Sequence, residues 1–363
     1  MKILFLGNHF NSIYLYRKEL VAELVNRGHE VFISVPKDKK NEYFISKGCT
    51  VIDTTLDRKG KNPFSDLRLI KTYKKIIKNI RPNVILSFTI KPNIYGCFAS
   101  RALGCKQICN ITGTGGTFSK KSFLTFIIKF LYKHSVKKSF KVLFQNESDK
   151  EFFVSNKIIG KNYDLIPGSG CNLDEFKYAP MVARKKTRLL FIGRIMEIKG
   201  IDDFLYCAKK IKDIRNDCEF IIAGNFEDTR YEQIVLDFSK KGIVNYVGYI
   251  ENRQTIIKDC DCVIVPSRVG EGIANVLLES FSIGRPCIGS NIPGIKEVIE
   301  DNKSGFLFER CNKETLVESI LKFLNLSFEQ KIIMGQVGNN FVRDHFDRKI
   351  VINKYLKLIG ECK

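Results

Sequence analysis

Strand-length apolar runs alternate with longer stretches whose apolar residues recur at helical spacing, and no other feature restricts the fold of this chain as much. The first 35 residues set the pattern. KILFLG is a strand, residues 14–27 form a helix with Leu15, Leu20, Val21, Leu24 and Val25 on its buried side, and a second strand runs to Val35. Gly28 stands where a helix C-terminal glycine belongs. Further strands are expected at 83–89, 107–111 and 142–146, with a basic amphipathic helix over 66–79. Residues 90–96 read as a loop entering a helix over 97–103. From 188 the alternation resumes, with helices over 201–214, 231–240 and 253–258 between strands at 220–223, 244–247 and 262–265. Alternation of this kind predicts parallel sheets with helices on both faces. A chain of 363 residues is long for one core and suits two domains. The expected limits are 1–175, 176–343 and a final helical segment, 344–363.

Charge is distributed unevenly. Of a net charge of +21, residues 67–146 supply sixteen Lys or Arg and no Asp or Glu. Such a surface implies an anionic partner: nucleic acid, an anionic membrane face or a diphosphate-bearing lipid. Within it, residues 119–141 place Phe123, Phe126, Ile127, Phe130, Leu131 and His134 on one side of a helix and seven lysines on the rest. That is the pattern of a helix lying in a membrane interface, and equally of a core-facing helix with a solvated basic side; the surrounding acid-free segment favours the membrane. No run is long enough to span a bilayer, and the apolar start has no small-residue cleavage site, so a cytoplasmic protein peripheral to the inner membrane face is expected. The twelve cysteines lack metal-ligand spacing and read as small buried hydrophobes in a reducing compartment.

The chemistry is expected at GEGIANVLLES, residues 270–280. An apolar strand at 262–265 ends in Pro266-Ser267, a glycine-bearing loop follows, and a helix begins near Ala274. Free amides of the first turn, with the positive helix end behind them, suit a phosphate or a polar sugar ring. Glu271 and Glu279, eight residues apart, would lie about 12 Å apart along a helix, too far to share a proton or a metal. A lone Asp259-Cys260-Asp261 falls in a helix-to-strand turn and reads as structural.

EGIANVLLE resembles the E-x7-E motif of the retaining glycosyltransferases of family 4, and residues 191–200, FIGRIMEIKG, resemble that family's G-R-x4-K-G segment. Gly284-Arg285-Pro286 and Pro293-Gly294-Ile295-Lys296-Glu297 follow in the family's order. TIKPNIYG at 89–96 and ITGTGGTF at 111–118 are similar to the subset that builds bacterial surface polysaccharides on a polyprenyl diphosphate carrier. The resemblance implies the GT-B fold: two Rossmann-like α/β domains facing a central cleft, with the final helix crossing back to the first. It implies a UDP-linked donor, an N-acetylhexosamine type of sugar, a lipid-diphosphate-linked saccharide acceptor and no metal or other cofactor. Arg194 and Lys199 would neutralise the leaving diphosphate, and Glu271 would contact donor sugar hydroxyls. Glu279 would bind the ribose, with Gly193, Gly270, Gly272, Ile273, Ala274 and Asn275 completing the donor site. Acceptor contacts are expected from Gly7, Asn8 and His9, from Lys91 and Asn93, and from Thr112, Gly113, Thr114, Gly115 and Gly116. Thr112 stands where many relatives have His, so no catalytic histidine is carried over to this loop. Arg268-Val269-Gly270 is one residue longer than many relatives have between Ser267 and Glu271. A UDP-sugar 2-epimerase of the same shape and a basic nucleic-acid-binding protein are the alternatives; nucleic acid would want aromatics interleaved with basic residues on a sheet or groove, whereas the basic segment is dominated by an apolar-faced helix.

Overall fold

The computed structural model describes residues 1–57, 62–114, 117–118 and 122–362. They form two compact units, one of residues 1–169 with the residues from Val351 onward, the other of residues 170–350. The expected limits at 175 and 343 shift because the chain after Gly170 is pinned to residues 346–348. Cys171 N–H donates to the Phe346 carbonyl (2.7 Å) and its carbonyl accepts from Arg348 N–H (2.9 Å). Both stretches therefore fold with the second unit.

The first unit alternates β1 (Lys2–Leu6), α1 (Phe10–Asn26), β2 (Glu30–Val35), α2 (Glu42–Ser46), β3 (Thr50–Asp53), α3 (Pro63–Ile80), β4 (Val84–Phe88), α4 (Ile90–Ala102), β5 (Lys106–Ile111), α5 (Phe123–Ser135), β6 (Lys141–Phe144), α6 (Glu147–Ser155) and β7 (Tyr163–Leu165). The strands form one sheet in the order β3-β2-β1-β4-β5-β6-β7, every pair parallel. Right-handed crossovers reverse direction at β1/β4. They put α1 and α2 on one face, with Leu20, Leu24 and Phe44 in its core, and α3 to α6 on the other, with Tyr73, Tyr132 and Phe153.

Helix α4 begins at Ile90, where a loop had been expected. Pro92 falls in its first turn, where the missing N–H would have had no helical acceptor anyway. Asn62 caps α3 by accepting from Phe64 N–H (2.9 Å), which moves that helix's start ahead of Asp66.

The second unit continues with β8 (Thr187–Ile192), α7 (Ile201–Lys212), β9 (Cys218–Ala223), α8 (Arg230–Lys240), β10 (Asn245–Tyr246), α9 (Arg253–Lys258), β11 (Cys262–Val265), α10 (Asn275–Ile283), β12 (Cys287–Ser290), β13 (Gly305–Phe308), α11 (Lys313–Leu324) and α12 (Phe328–His345). Its six strands run parallel in the order β10-β9-β8-β11-β12-β13. The reversal lies at β8/β11, so the helices that follow these two neighbours, α7 and α10, pack on opposite faces of the sheet. The last helix, α13 (Arg348–Gly360), starts in this unit, but Val351, Tyr355, Leu358 and Ile359 pack in the first unit's core with Phe5 and Phe88. Asn110 Nδ2 donates to the Tyr355 hydroxyl (2.5 Å) there.

All twelve cysteines are free thiols, and ten of them are buried. Among the described residues no helix is long and apolar enough to cross a membrane.

Candidate functional site

The site grows out of the loops that leave the carboxyl ends of β8 and β11. After β8, Gly193 N–H donates to the Ala223 carbonyl (3.0 Å), and the chain turns through Glu197–Lys199 into α7. Gly200 closes that turn at φ +74°, and a Cβ on it would lie 1.9 Å from the Pro266 carbonyl oxygen at the end of β11. The two loops are thus in backbone contact, and Arg268 N–H donates to the Ile198 carbonyl (2.9 Å) beside it. This contact brings together side chains 72 residues apart: Lys199 Nζ donates to Glu271 Oε1 at 2.7 Å. Ser267 Oγ donates to the same oxygen, also at 2.7 Å. Burial pushes the Glu271 carboxyl up, but Lys199, Ser267 and Arg194 outweigh it and hold the group below the usual range, so it is a carboxylate at neutral pH. Arg194 is exposed and makes no hydrogen bond or ion pair among the described residues, which leaves it a free cation beside the pair.

A third loop fixes the start of α10. Glu271 N–H donates to the Pro293 carbonyl (3.0 Å) and Ala274 N–H to the Gly294 carbonyl (2.9 Å). Gly294 N–H in turn donates to Glu297 Oε2 (2.7 Å). The expectation that the Ala274 amide faces a ligand is corrected, since Gly294 occupies it. The amides of Ile273, Asn275 and Val276 donate to nothing among the described residues, and Asn275 Oδ1 is buried without a partner. They form the open positive end of α10. Glu271 lies in the loop and only Glu279 is helical, so the two carboxylates do not lie along one helix. Gly272 is buried within this loop, and Gly270 faces Pro293 at ordinary contact distance.

Glu279 is 4% exposed. Its Oε1 pairs with an Arg253 guanidinium nitrogen (2.9 Å), while Oε2 is buried without a partner. Burial pushes its pKa up to about 7 against the pull of Arg253 and Arg348. Arg268 is fully committed: its guanidinium grips Asp203 in two bonds (2.7 and 3.1 Å), tying the motif loop to α7. Sequence reasoning missed Ser267, Asp203 and Arg253 as parts of the site. The position of Ser267 two residues after a strand was a usable signal; Arg253 offered none.

The expected acceptor residues lie at the carboxyl ends of the first unit's strands. Gly7 is tightly packed, since a Cβ there would meet Ser12 Oγ at 2.8 Å and Val35 Cγ1 at 3.0 Å and these side chains would have to shift. Asn8 Oδ1 is buried without a partner, and His9 stands at the start of α1 without capping it. Lys91 Nζ is paired with Asp66 (2.8 Å), which also accepts from the Tyr95 hydroxyl (2.7 Å). Asn93 is corrected to an interior residue: at 0% exposure it accepts from Ser87 Oγ (2.7 Å) and donates to the Asn110 carbonyl (2.8 Å). Thr89 beside them holds φ +74°, a conformation that costs a β-branched residue about 1–3 kcal/mol. Thr112 and Gly113 follow β5, with Gly113 at φ +107°, and Thr114 Oγ1 donates to Asp149 (3.0 Å). Gly115 and Gly116 lie outside the described residues. Asp259 pairs with Arg184 (2.9 Å) and Asp261 accepts from Arg188 N–H (2.7 Å), so both are structural. Among the described residues no cluster of three or more His, Cys, Asp or Glu is placed to hold a metal ion.

Comparison with known proteins bears on the family and the fold. Residues 2–146 match the glycosyl transferase 4-like family model, and residues 174–338 match that of glycosyl transferases group 1. The chain is 28% identical to an N,N'-diacetylbacillosaminyl-diphospho-undecaprenol alpha-1,3-N-acetylgalactosaminyltransferase of Campylobacter jejuni, covering 99% of this chain and 98% of that one. It is 23% identical to a UDP-Gal:alpha-D-GlcNAc-diphosphoundecaprenol alpha-1,3-galactosyltransferase of Escherichia coli, over 84% and 81% of the two chains. Among solved structures, a glycosyltransferase of Rickettsia africae superposes with a TM-score of 0.82 at 19% identity, covering 99% of this chain and 98% of that one. Anabaena HepE in complex with UDP and glucose superposes with a TM-score of 0.82 at 14% identity, over 99% and 100%. At such identities the superpositions speak for the fold, which is GT-B. With its two halves matched by two glycosyltransferase families and the paired loops of the second half in place, the chain belongs to the group 1 and 4-like glycosyltransferases.

Proposed function

We propose that the chain is a retaining glycosyltransferase moving an N-acetylhexosamine type of sugar from a UDP-linked donor to a saccharide carried on a lipid diphosphate, in capsule, O-antigen or related glycan assembly. The observation that carries this reading is the Lys199–Glu271 contact beside the free Arg194 and the open amides of α10. Breaking the glycosidic bond puts negative charge on the leaving nucleotide diphosphate, and preorganised cations and amides stabilise that charge without reorganising. Arg194 grips phosphate oxygens, Lys199 supplies a point charge, and Ile273, Asn275 and Val276 donate from the helix end. Glu271, kept ionised by Lys199 and Ser267, accepts from donor sugar hydroxyls. The unpartnered Oε2 of Glu279 accepts from the ribose. We assign a front-face route: the bond from the anomeric carbon to the phosphate oxygen breaks, the acceptor oxygen bonds to the same face, and its proton passes to the leaving phosphate. Trapping a covalent sugar–enzyme adduct would defeat that route.

The names of the Campylobacter and Escherichia relatives both specify diphosphoundecaprenol-linked acceptors, which supports a lipid-linked acceptor here. Helix α5 supports the membrane partner, with Phe123, Phe126, Ile127 and Phe130 exposed among lysines. The enzyme then works at the inner face of a bacterial plasma membrane, without nucleic acid. Turnover across a panel of UDP-, GDP- and dTDP-sugars tests the donor assignment. UDP-sugars are expected to be consumed preferentially, and consumption of GDP- or dTDP-sugars in their place refutes it.

Glu279 adds a pH signature. Its folded pKa lies above the ordinary carboxyl value, so between about pH 4.5 and 7 the folded state holds more protons than the unfolded one, and stability falls as pH rises. A shift from 4.5 to about 7 corresponds to roughly 3 kcal/mol lost across that window. Glu279→Gln is expected to flatten this slope in unfolding titrations. A ribose hydroxyl donating to Oε2 favours the carboxylate, so UDP binding near pH 6.5 is expected to release a proton, read by calorimetry in buffers of different ionisation enthalpy. Identical heats in all buffers contradict the assignment.

A further inference from the structure

Two helices of the first unit, not one, carry the pattern of a membrane-entering segment. Helix α3 exposes Phe64 (78%) and Leu67 (57%) in its first turns, and Arg68, Lys71, Lys75 and Lys78 continue the same stripe, all exposed. Helix α5 repeats the order, with Phe123 (79%), Phe126 (66%), Ile127 and Phe130 exposed first and Lys133 exposed further along, followed by Lys137 in the turn after it. Each helix is apolar at its N-terminal end and basic towards its C-terminal end.

The sheet makes these two ends coincide. β4, β5 and β6 are parallel, α3 leads into the start of β4, and α5 leads into the start of β6. Both helices therefore run against the strands, with their N-termini at the strands' carboxyl ends. Helix α4 packs against both. Asp66 in the first turn of α3 accepts from Lys91 and Tyr95 at the start of α4. Arg101 near the end of α4 donates to the His134 carbonyl near the end of α5 (2.9 Å). The three helices are parallel neighbours with their starts together.

We propose that α3 and α5 enter an anionic bilayer together, N-terminal ends first, with Phe64, Leu67, Phe123, Phe126, Ile127 and Phe130 in the boundary between headgroups and acyl chains and the lysines behind them among the headgroups. The commitment to a lipid surface comes from charge: the 80 residues from 67 to 146 contain no acid to repel anionic headgroups, and the lysines border the apolar ends. A flat-lying helix would bring the whole length of α5 to one depth; the gradient from apolar to basic along both helices requires a tilt. The tilt turns the carboxyl ends of the first unit's strands, with Thr89 and Thr112, to the bilayer, where the diphosphate of a lipid-linked acceptor resides. This orientation rests on the lipid-linked reading above.

The chain contains no Trp, so single tryptophans report without background. Phe64→Trp, Phe126→Trp, Lys75→Trp and Lys133→Trp variants of the full chain are bound to phosphatidylglycerol vesicles containing lipids brominated near the headgroup end of the acyl chain. At 64 and 126 the emission is expected to shift to the blue and to be quenched several-fold more than at 75 and 133. Quenching at 126 without quenching at 64 overturns the two-helix surface. Equal quenching at 126 and 133 overturns the tilt, and no quenching anywhere overturns both. Phe64→Ser with Leu67→Ser is expected to lower flotation with these vesicles about tenfold, and unchanged flotation counts against the proposal. Wild-type hydrolysis of UDP-sugar without vesicles reports the second unit's site separately: its absence alongside the expected quenching fails the transfer reading and leaves this surface standing.

Discussion

Lys199→Ala is expected to lower sugar transfer by about 10²–10³-fold, the loss typical of removing one preorganised donor from a developing negative charge. Lys199 has two tasks. It meets the leaving diphosphate as a point charge, and at 2.7 Å from Glu271 it keeps that carboxylate ionised and aimed. Glu271→Gln keeps the shape and removes the charge, and should lose activity on a comparable scale. Neither change should unfold the protein. The two side chains are 24% and 21% exposed, and pairs that remain in contact with water contribute at most about 1 kcal/mol to stability. Lys199→Arg should recover only part of the rate, because a planar fork does not reproduce a compact ammonium. The measurements are kcat on the donor found in the nucleotide panel and the thermal midpoint of each variant. Normal turnover in both Lys199→Ala and Glu271→Gln ends the site assignment.

Gly200→Ala is expected to destabilise the second unit by about 3 kcal/mol or more, among the larger effects of a single substitution. Left-handed backbone costs an L-residue about 1–2 kcal/mol by itself. At φ +74° the added Cβ would also sit 1.9 Å from the Pro266 carbonyl oxygen, a backbone atom that yields only if the end of β11 moves. Moving it separates the two loops and breaks the approach of Lys199 to Glu271, so activity should fall with stability. Gly270→Ala is the control. Its nearest neighbours would be Pro293 atoms at 3.6 Å, an ordinary contact, and the fold should tolerate it. Chemical denaturation followed by circular dichroism distinguishes the two, and equal stability of both variants would show that the loop contact is not under steric constraint.

Much of the fold is legible in the sequence because it depends on periodicity. The strands at 188–192 and 262–265 declare themselves as apolar runs between helical segments, and their order is sufficient for a doubly wound sheet. Local rules fail where a residue type has two uses. Pro92 reads as a loop residue, yet in the first turn of α4 its missing N–H costs nothing. Asn93 reads as a polar loop side chain, yet Ser87 and the Asn110 carbonyl satisfy it in the interior. Arg268 has no assignable place in a loop of unusual length until Asp203, 65 residues away, is seen to hold it.

The sequence alone determined the two-part α/β architecture, the presence of the two motifs and the uneven charge, since each depends on which residues follow one another. Tertiary structure decided the states of those residues: which amides of α10 stay open, that Glu271 is ionised while Glu279 titrates near 7, and that the apolar ends of α3 and α5 share one edge. A protonation state or an open hydrogen-bonding group is set by the distance to neighbours and to water, and those neighbours come from chain segments brought together only by the sheet.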